Sequence, residues 1–321
     1  MRRGAGTAAA ALVLFAAGCA PSLMKLPAGA GTPASDAADA FIDATAACNA
    51  VSSISAEIAV AGAVGGRRLH ARLLAGLASP ASARLEAVAP AGQPLFILVA
   101  SGDDATLLFP REQRVLPHGR PAAVLEAVAG IPLDPIDLRA TLTGCSLAAP
   151  ENGRRLGDDW RAVTVGSNDV YLRRSPRESK WQLVAVVHHA SAGAREWRAE
   201  YAEFEAGLPR SVRLTSAPDD RFDLRLTLSQ VELNAQLGPE VFRVEIPPGA
   251  EPMTLEELKR SGPLGSAGAG GSGARLRQGY GGSAVARRNI AASGGWKAPA
   301  PVQESRAGRA SGTAGAGGAE K

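Results

Sequence analysis

Between Ser52 and Pro248 the sequence alternates apolar and polar residues with a period of two, and no other feature restricts the fold of this chain as strongly. Phe222, Leu224, Leu226 and Leu228 alternate with Asp223, Arg225, Thr227 and Ser229, and the phase then slips near Gln230 before Val231 and Leu233 continue. Successive strand residues point to opposite faces, so this run reads as a strand buried on one side, with a β-bulge expected near Gln230. The same period appears in Leu69, Ala71 and Leu73, in Trp197, Ala199 and Tyr201, and in Phe242, Val244 and Ile246. Further runs starting at Trp160, Asp169 and Trp181 are bounded by Gly, Asn, Asp or Ser, which supply turns. The spacing predicts about ten or eleven strands joined mostly by hairpins.

The alternation is broken once, by two short helices over Pro121–Gly130 and Pro135–Thr143. Asp134 suits the N-cap of the second, Pro135 its first position, and Gly144 the residue past its end. A further helix is expected near Ser35, with Ser35 as cap, Asp36 in the first turn, and Ala37, Phe41, Ala44 and Cys48 on one stripe. The fold class is therefore mainly β with helices (α+β), one large curved antiparallel sheet with helices packed against one face. Only 4% of residues are aromatic, so small and aliphatic side chains must fill that face. Two readings stay open: an incompletely filled concave sheet, which is an apolar cavity, or a plainly filled core.

The first nineteen residues show where the chain goes. A cationic start at Arg2 and Arg3, an apolar run from Thr7 to Ala17 and a close on Ala16-Ala17-Gly18-Cys19 form a secretory leader too short to span a bilayer. The close also resembles the bacterial lipobox, with Ala16 where Leu is more usual. That resemblance implies removal of residues 1–18 as a lipoprotein signal peptide and a diacylglycerol plus an N-acyl chain on Cys19, the only prosthetic chemistry expected. Ala20 follows, where enterobacterial sorting uses Asp to retain lipoproteins at the inner membrane, so the expected location is the periplasmic face of the outer membrane. With Cys19 assigned to lipid, Cys48 and Cys145 remain as an even pair in an exported chain. They form a disulfide or two separate buried thiols; the oxidising compartment and their places on two apolar helical stripes favour the disulfide.

Charge divides the chain further. Residues 261–321 hold 16 of the 37 glycines and eight Lys/Arg against Glu304 and Glu320. With Arg2 and Arg3 in the leader and +4 for the whole chain, Cys19–Arg260 is left at −4. A slightly acidic body poor in aromatics argues against nucleic acid as a partner. Residues 19–34 read as a linker, 35–260 as one folded domain ending in a short helical segment at Thr254–Arg260, and 261–321 as a disordered Gly/Ala-rich basic tail. The tail is either a weak tether to anionic surfaces or an inert solubilising segment.

Two stretches carry a family resemblance. Arg84-Leu-Glu-Ala-Val-Ala-Pro-Ala-Gly-Gln-Pro-Leu-Phe-Ile-Leu is followed by Thr106-Leu-Leu-Phe-Pro, and Val124-Leu-Glu-Ala-Val-Ala-Gly-Ile-Pro-Leu-Asp-Pro begins the helical insertion. This layout, with Gly207-Leu-Pro further on, resembles the LolA/LolB superfamily, closest to the outer-membrane lipoprotein receptors of LolB type and LolB-like lipoproteins, over about Ile54 to Pro248. The resemblance implies a half-barrel sheet with a helical lid, and a cavity that takes acyl chains of lipoproteins handed over by a LolA-like periplasmic carrier, with outer-membrane lipids as the other partner and a monomer as the working unit. In LolB a Leu protrudes from a loop that enters the membrane. The corresponding loop here is Pro90-Ala91-Gly92, so the candidate insertion site is Ala91 with Leu95 and Phe96, and the last two are equally at home in the core.

No catalytic or metal-binding set is expected. There is no Gly-x-Ser-x-Gly elbow, the four histidines are scattered, and the Asp pairs at 103–104, 158–159 and 219–220 sit in turn contexts. His188 and His189 are adjacent on a strand and face opposite ways. The functional expectation is a non-enzymatic outer-membrane lipoprotein that binds acyl chains. The alternative is a structural or envelope-assembly lipoprotein with a filled core and the tail as tether.

Overall fold

The computed structural model of the chain describes residues 23–89, 92–145, 148–176, 178–190, 196–216 and 221–261. The leader, Cys19, Ala91, the Asp219-Asp220 pair and the tail from residue 262 lie outside the described residues. In chain order the elements are β1 (Thr32–Pro33), α1 (Ala37–Ala44), a 3-10 turn (Ala46–Ala50), β2 (Ser53–Val64), β3 (Arg67–Ala78), β4 (Ser82–Val88), β5 (Pro94–Ser101), β6 (Asp104–Phe109) and β7 (Arg114–Gly119). The helical insertion is α2 (Pro121–Ala129) and α3 (Pro135–Thr143). There follow β8 (Asn152–Arg155), β9 (Trp160–Val165), β10 (Asn168–Arg174), β11 (Trp181–His188), β12 (Trp197–Glu205), β13 (Leu208–Ser216), β14 (Phe222–Leu233), β15 (Glu251–Pro252) and α4 (Leu255–Ser261).

All fifteen strands belong to one curved open sheet, in the order β1-β8-β9-β10-β11-β12-β13-β14-β2-β3-β4-β5-β6-β7-β15. It consists of two antiparallel meanders, β2–β7 and β8–β14, fused where β14 pairs with β2. Pairing of β14 with β2 places the last long strand beside the first, and the helical insertion carries the chain from β7 near one end of the sheet to β8 near the other. Only β15 runs parallel to its neighbour, β7. The described strands outnumber the ten or eleven expected, and three of them leave no periodic signal: β8 is Asn-Gly-Arg-Arg, and β1 and β15 have two residues each.

One face of the sheet and the helices share a continuous core. The inward residues of β14, Phe222, Leu224, Leu226 and Leu228, join Ile58 and Val60 of β2, Leu77 of β3 and Leu98 of β5. The expected bulge is present: the β14 register shifts between Ser229 and Glu232, and Gln230 takes φ 49°. Helix α3 begins as its sequence indicates, with the Asp137 N–H donating to the Asp134 carboxylate at 2.8 Å. Gly130 and Gly144 adopt the left-handed conformation that ends α2 and α3, which a Cβ would disfavour.

Two expectations are corrected. Helix α1 starts at Ala37 with Asp36, not Ser35, at its N-cap, and the Asp36 side chain caps nothing. Its carboxylate instead takes a bidentate pair from Arg161 at 2.9 and 2.6 Å, which holds it below the ordinary carboxylate range. The Phe242–Ile246 alternation does not form a strand. Prolines 239, 247 and 248 bracket it, and the Val241, Phe242 and Arg243 N–H groups bond backward to Gly238, Pro239 and Glu240 in tight turns. This segment instead crosses the outer face of the sheet. The Arg84 guanidinium on β4 donates to the Val241 and Arg243 carbonyls, both at 2.9 Å, and is paired with Glu86.

Candidate functional site

The space between the inner face and the helices is where an apolar ligand would have to sit. Helix α1 covers β8, β9 and β11 with Ala37, Ala40 and Phe41. It lies close because β8 carries Gly153, where a Cβ would come within 2.4 Å of Ala37 Cβ. Helix α2 inserts Val124, Leu125 and Val128, and α3 inserts Leu138 and Leu142, each worth about 1.5–3 kcal/mol when buried. Alternating small and large side chains do the filling that aromatics do elsewhere: Leu77, Leu107, Val163 and Leu172 are fully buried. A crevice of about 20 Å3 lies beside the disulfide, lined by Cys48, Val51, Ile136, Arg139, Ala140, Thr143 and Cys145. That admits no more than a water, whereas ligand cavities run to roughly 300–1,000 Å3.

A disulfide borders this crevice. Cys48, in the 3-10 turn, is bonded to Cys145, just past α3, with the Cα atoms 5.5 Å apart and a separation of 97 residues in sequence. The bond ties the segment before the first long strand to the end of the helical insertion. Beside it Gly144 faces the ring of Tyr201, whose phenol burial pushes up, so the ring remains neutral.

The expected loop site is only partly visible. Leu95 is 40% exposed near the start of β5, while Phe96 is 5% exposed and belongs to the core. The outward apolar surface at this end of β5 therefore rests on Leu95, and Ala91 is outside the described residues. Of the acidic pairs, Asp103 occupies the turn before β6 and Asp158-Asp159 the bend before β9. Sequence reasoning missed the Arg84–Glu86 pair and a second pair, Arg198–Glu200 at 2.6 Å, because charges alternating with core residues look like an ordinary solvated face.

His188 and His189 diverge as expected. His188 stacks on Trp197 across the β11–β12 register, with ring centroids 3.7 Å apart and planes within 6°. His189 meets Asp169 and Glu196, each at 3.3 Å. Burial, with a smaller push from His189, lowers His188 to about 4. The unfolded chain takes up its proton near 6.5 and the folded one only near 4, so the stability this neutral ring supports is present above pH 6.5 and is lost as pH falls toward 4. The loss is on the order of 3 kcal/mol at most. His188→Phe keeps the stack without the proton, and denaturant melts at pH 7 and pH 4.5 should show a smaller acid loss in the variant than in the wild type.

Among the described residues no helix is long and apolar enough to cross a membrane, and no three His, Cys, Asp or Glu side chains converge as metal ligands. No protein-family model and no curated protein matches the sequence. The fold is similar to that of a LolA superfamily protein from Nitrosomonas europaea, 12% identical over 63% of this chain and 96% of that one, with a TM-score of 0.45. It is also similar to a DUF1329 family protein from Desulfovibrio piger, 11% identical over 66% and 98%, with a TM-score of 0.40. A third is the lipoprotein LppX of Mycobacterium tuberculosis, 11% identical over 63% and 96%, with a TM-score of 0.28.

Proposed function

We propose that this chain is a lipoprotein anchored through acylated Cys19 to the periplasmic face of the outer membrane, and that its half-barrel sheet takes up acyl chains of lipoproteins or lipids beneath a lid formed by α1–α3. The observation that carries the reading is the composition of the covered face. It is one continuous apolar surface, mostly aliphatic, covered by short helices and not by a second sheet. An acyl chain of about fourteen methylenes gains roughly 11 kcal/mol on burial, at about 0.8 kcal/mol each. Displacing Val124, Val128, Leu138 and Leu142 costs about 6–12 kcal/mol if they are left in water, so the exchange is close to balanced. A lid in such balance opens for a ligand and closes without one. The partners in this reading are outer-membrane lipids, lipoproteins and a LolA-like carrier, the chain acts as a monomer, and no residue has a catalytic role.

The burial of the inner-face side chains favours a second reading, a structural or envelope-assembly lipoprotein with a filled core and its tail as tether. Native mass spectrometry of the soluble Cys19→Ala protein separates the two. Co-purifying lipid, or uptake of an apolar dye that fatty acid displaces, is the expected result; a bare protein that takes up neither leaves only the structural reading. In a strain depleted of its own lipoprotein receptor, Ala91→Leu should insert lipoproteins better than the parent, because the added side chain restores apolar area at the loop tip.

A further inference from the structure

The chain just after the anchor is gripped by the outside of the sheet. Arg198 and Glu200 stand on the face of β12 opposite Trp197, Ala199 and Tyr201, and their side chains are 18% and 11% exposed. Together they hold both polar groups of one residue. The Met24 N–H donates to the two Glu200 carboxylate oxygens at 3.1 and 3.3 Å, and the Arg198 guanidinium donates to the Met24 carbonyl at 2.6 Å. Such charge-assisted bonds are short and stronger than neutral ones. Five peptide units separate Cys19 from Met24, which limits their separation to about 18 Å. A lipid on Cys19 therefore keeps this wall of the sheet near the bilayer.

The wall leading away from the grip is polar and carries several arginines. Register places Glu200 beside Arg213, Arg213 beside Arg225, Arg225 beside Ala61 and Ala61 beside His70, in one row across five strands. At about 4.8 Å per strand that row extends roughly 19 Å, comparable to the reach of the tether. The flanking rows add Arg68 beside Ala63 and Arg72 beside Ala59. Arg68, Arg72 and Arg225 are exposed, and the β2 side chains between them are alanines too short to screen them. Asp223 pairs with Arg213 at 2.8 Å and Glu57 with Arg72 at 3.6 Å, so those charges balance and the exposed Arg68 and Arg225 supply the positive excess among these residues.

We propose that the outer wall of β12–β14, β2 and β3 lies against the membrane, with anionic phospholipid headgroups as its partner, and that the grip on Met24 sets this orientation. The inference rests on the acylation of Cys19 in the proposed function. It turns the opposite face, with α1 and α3, toward the periplasm, where an incoming carrier can reach them.

The test uses the full acylated chain on vesicles of phosphatidylethanolamine and phosphatidylglycerol carrying a headgroup quencher. A dye is placed through a ketone-bearing residue either at Thr227, exposed on the outer face of β14, or at Asp39, exposed on α1. Quenching should be several-fold stronger at Thr227. It should fall toward parity when Arg198 and Glu200 are both replaced by Ala, and also when the exposed Arg68 and Arg225 are both replaced by Glu, a change that leaves the grip and the core intact. Equal or stronger quenching at Asp39 in the wild type overturns the inference, as does a Thr227 preference that survives both double variants. A mature chain whose mass shows no lipid on Cys19 removes the anchor of the proposed function as well; an acylated chain lying helix-side down defeats only the orientation.

Discussion

Reducing the Cys48–Cys145 bond, or replacing both residues by Ala, is expected to lower the stability of the folded domain by about 4 kcal/mol. The chain-entropy model sets the size, because the 97-residue separation closes a long loop in the unfolded chain. The folded side of the balance points the same way. The 3-10 turn that holds Cys48 has no buried residue of its own, so little besides the disulfide fixes it to the end of α3. Urea melts of the wild type with and without reductant, beside the Cys48→Ala, Cys145→Ala double variant, measure the loss. A change below about 1 kcal/mol would show that the unfolded chain gains little freedom from the cut. In the lid reading the same cut frees α3, so the reduced protein should also take up more of an apolar dye than the oxidised one.

The second large effect is expected at Arg84. Its guanidinium, 10% exposed, satisfies Glu86, 9% exposed, and two carbonyls of the strap at Val241 and Arg243. Arg84→Ala leaves a buried carboxylate and two carbonyls without their partner, at a cost of about 3–5 kcal/mol. Replacing Arg84 by Met together with Glu86 by Leu removes both charges and should recover most of the loss, since desolvating the pair costs much of what the pairing returns. Hydrogen exchange at residues 235–243 distinguishes the contributions. It should accelerate in both variants if the guanidinium pins the strap, and in neither if Leu237 and Val241, packed over Gly76, suffice to hold it.

Much of the architecture is legible in the order of residues alone. The inward residues of β14, its bulge at Gln230, the caps of α3 and the separation of His188 from His189 all follow from local rules, because the period of two and the chemistry of Asp, Pro and Gly act within a few residues. The same rules misread Phe242–Ile246. Alternation describes which way side chains point and says nothing of whether a neighbouring strand is available, and there the backbone is turned back on itself between prolines. They are silent about β8, whose Asn-Gly-Arg-Arg becomes a strand only because α1, β1 and β9 surround it.

The site divides along the same line. The leader pattern, the candidate lipid residue and an even pair of cysteines are features of the linear sequence, and they carry the expectations of export and acylation. Which cysteine meets which helix end, how the aliphatic side chains pack beneath the helices, and that Arg84 and Arg198 grip backbone from 157 and 174 residues away are decided by the tertiary structure alone. A charged residue alternating with core residues carries the same local pattern whether water or another segment lies above it. Only the path of the rest of the chain determines which of the two it meets, and so whether its charge is solvated or holds the fold together.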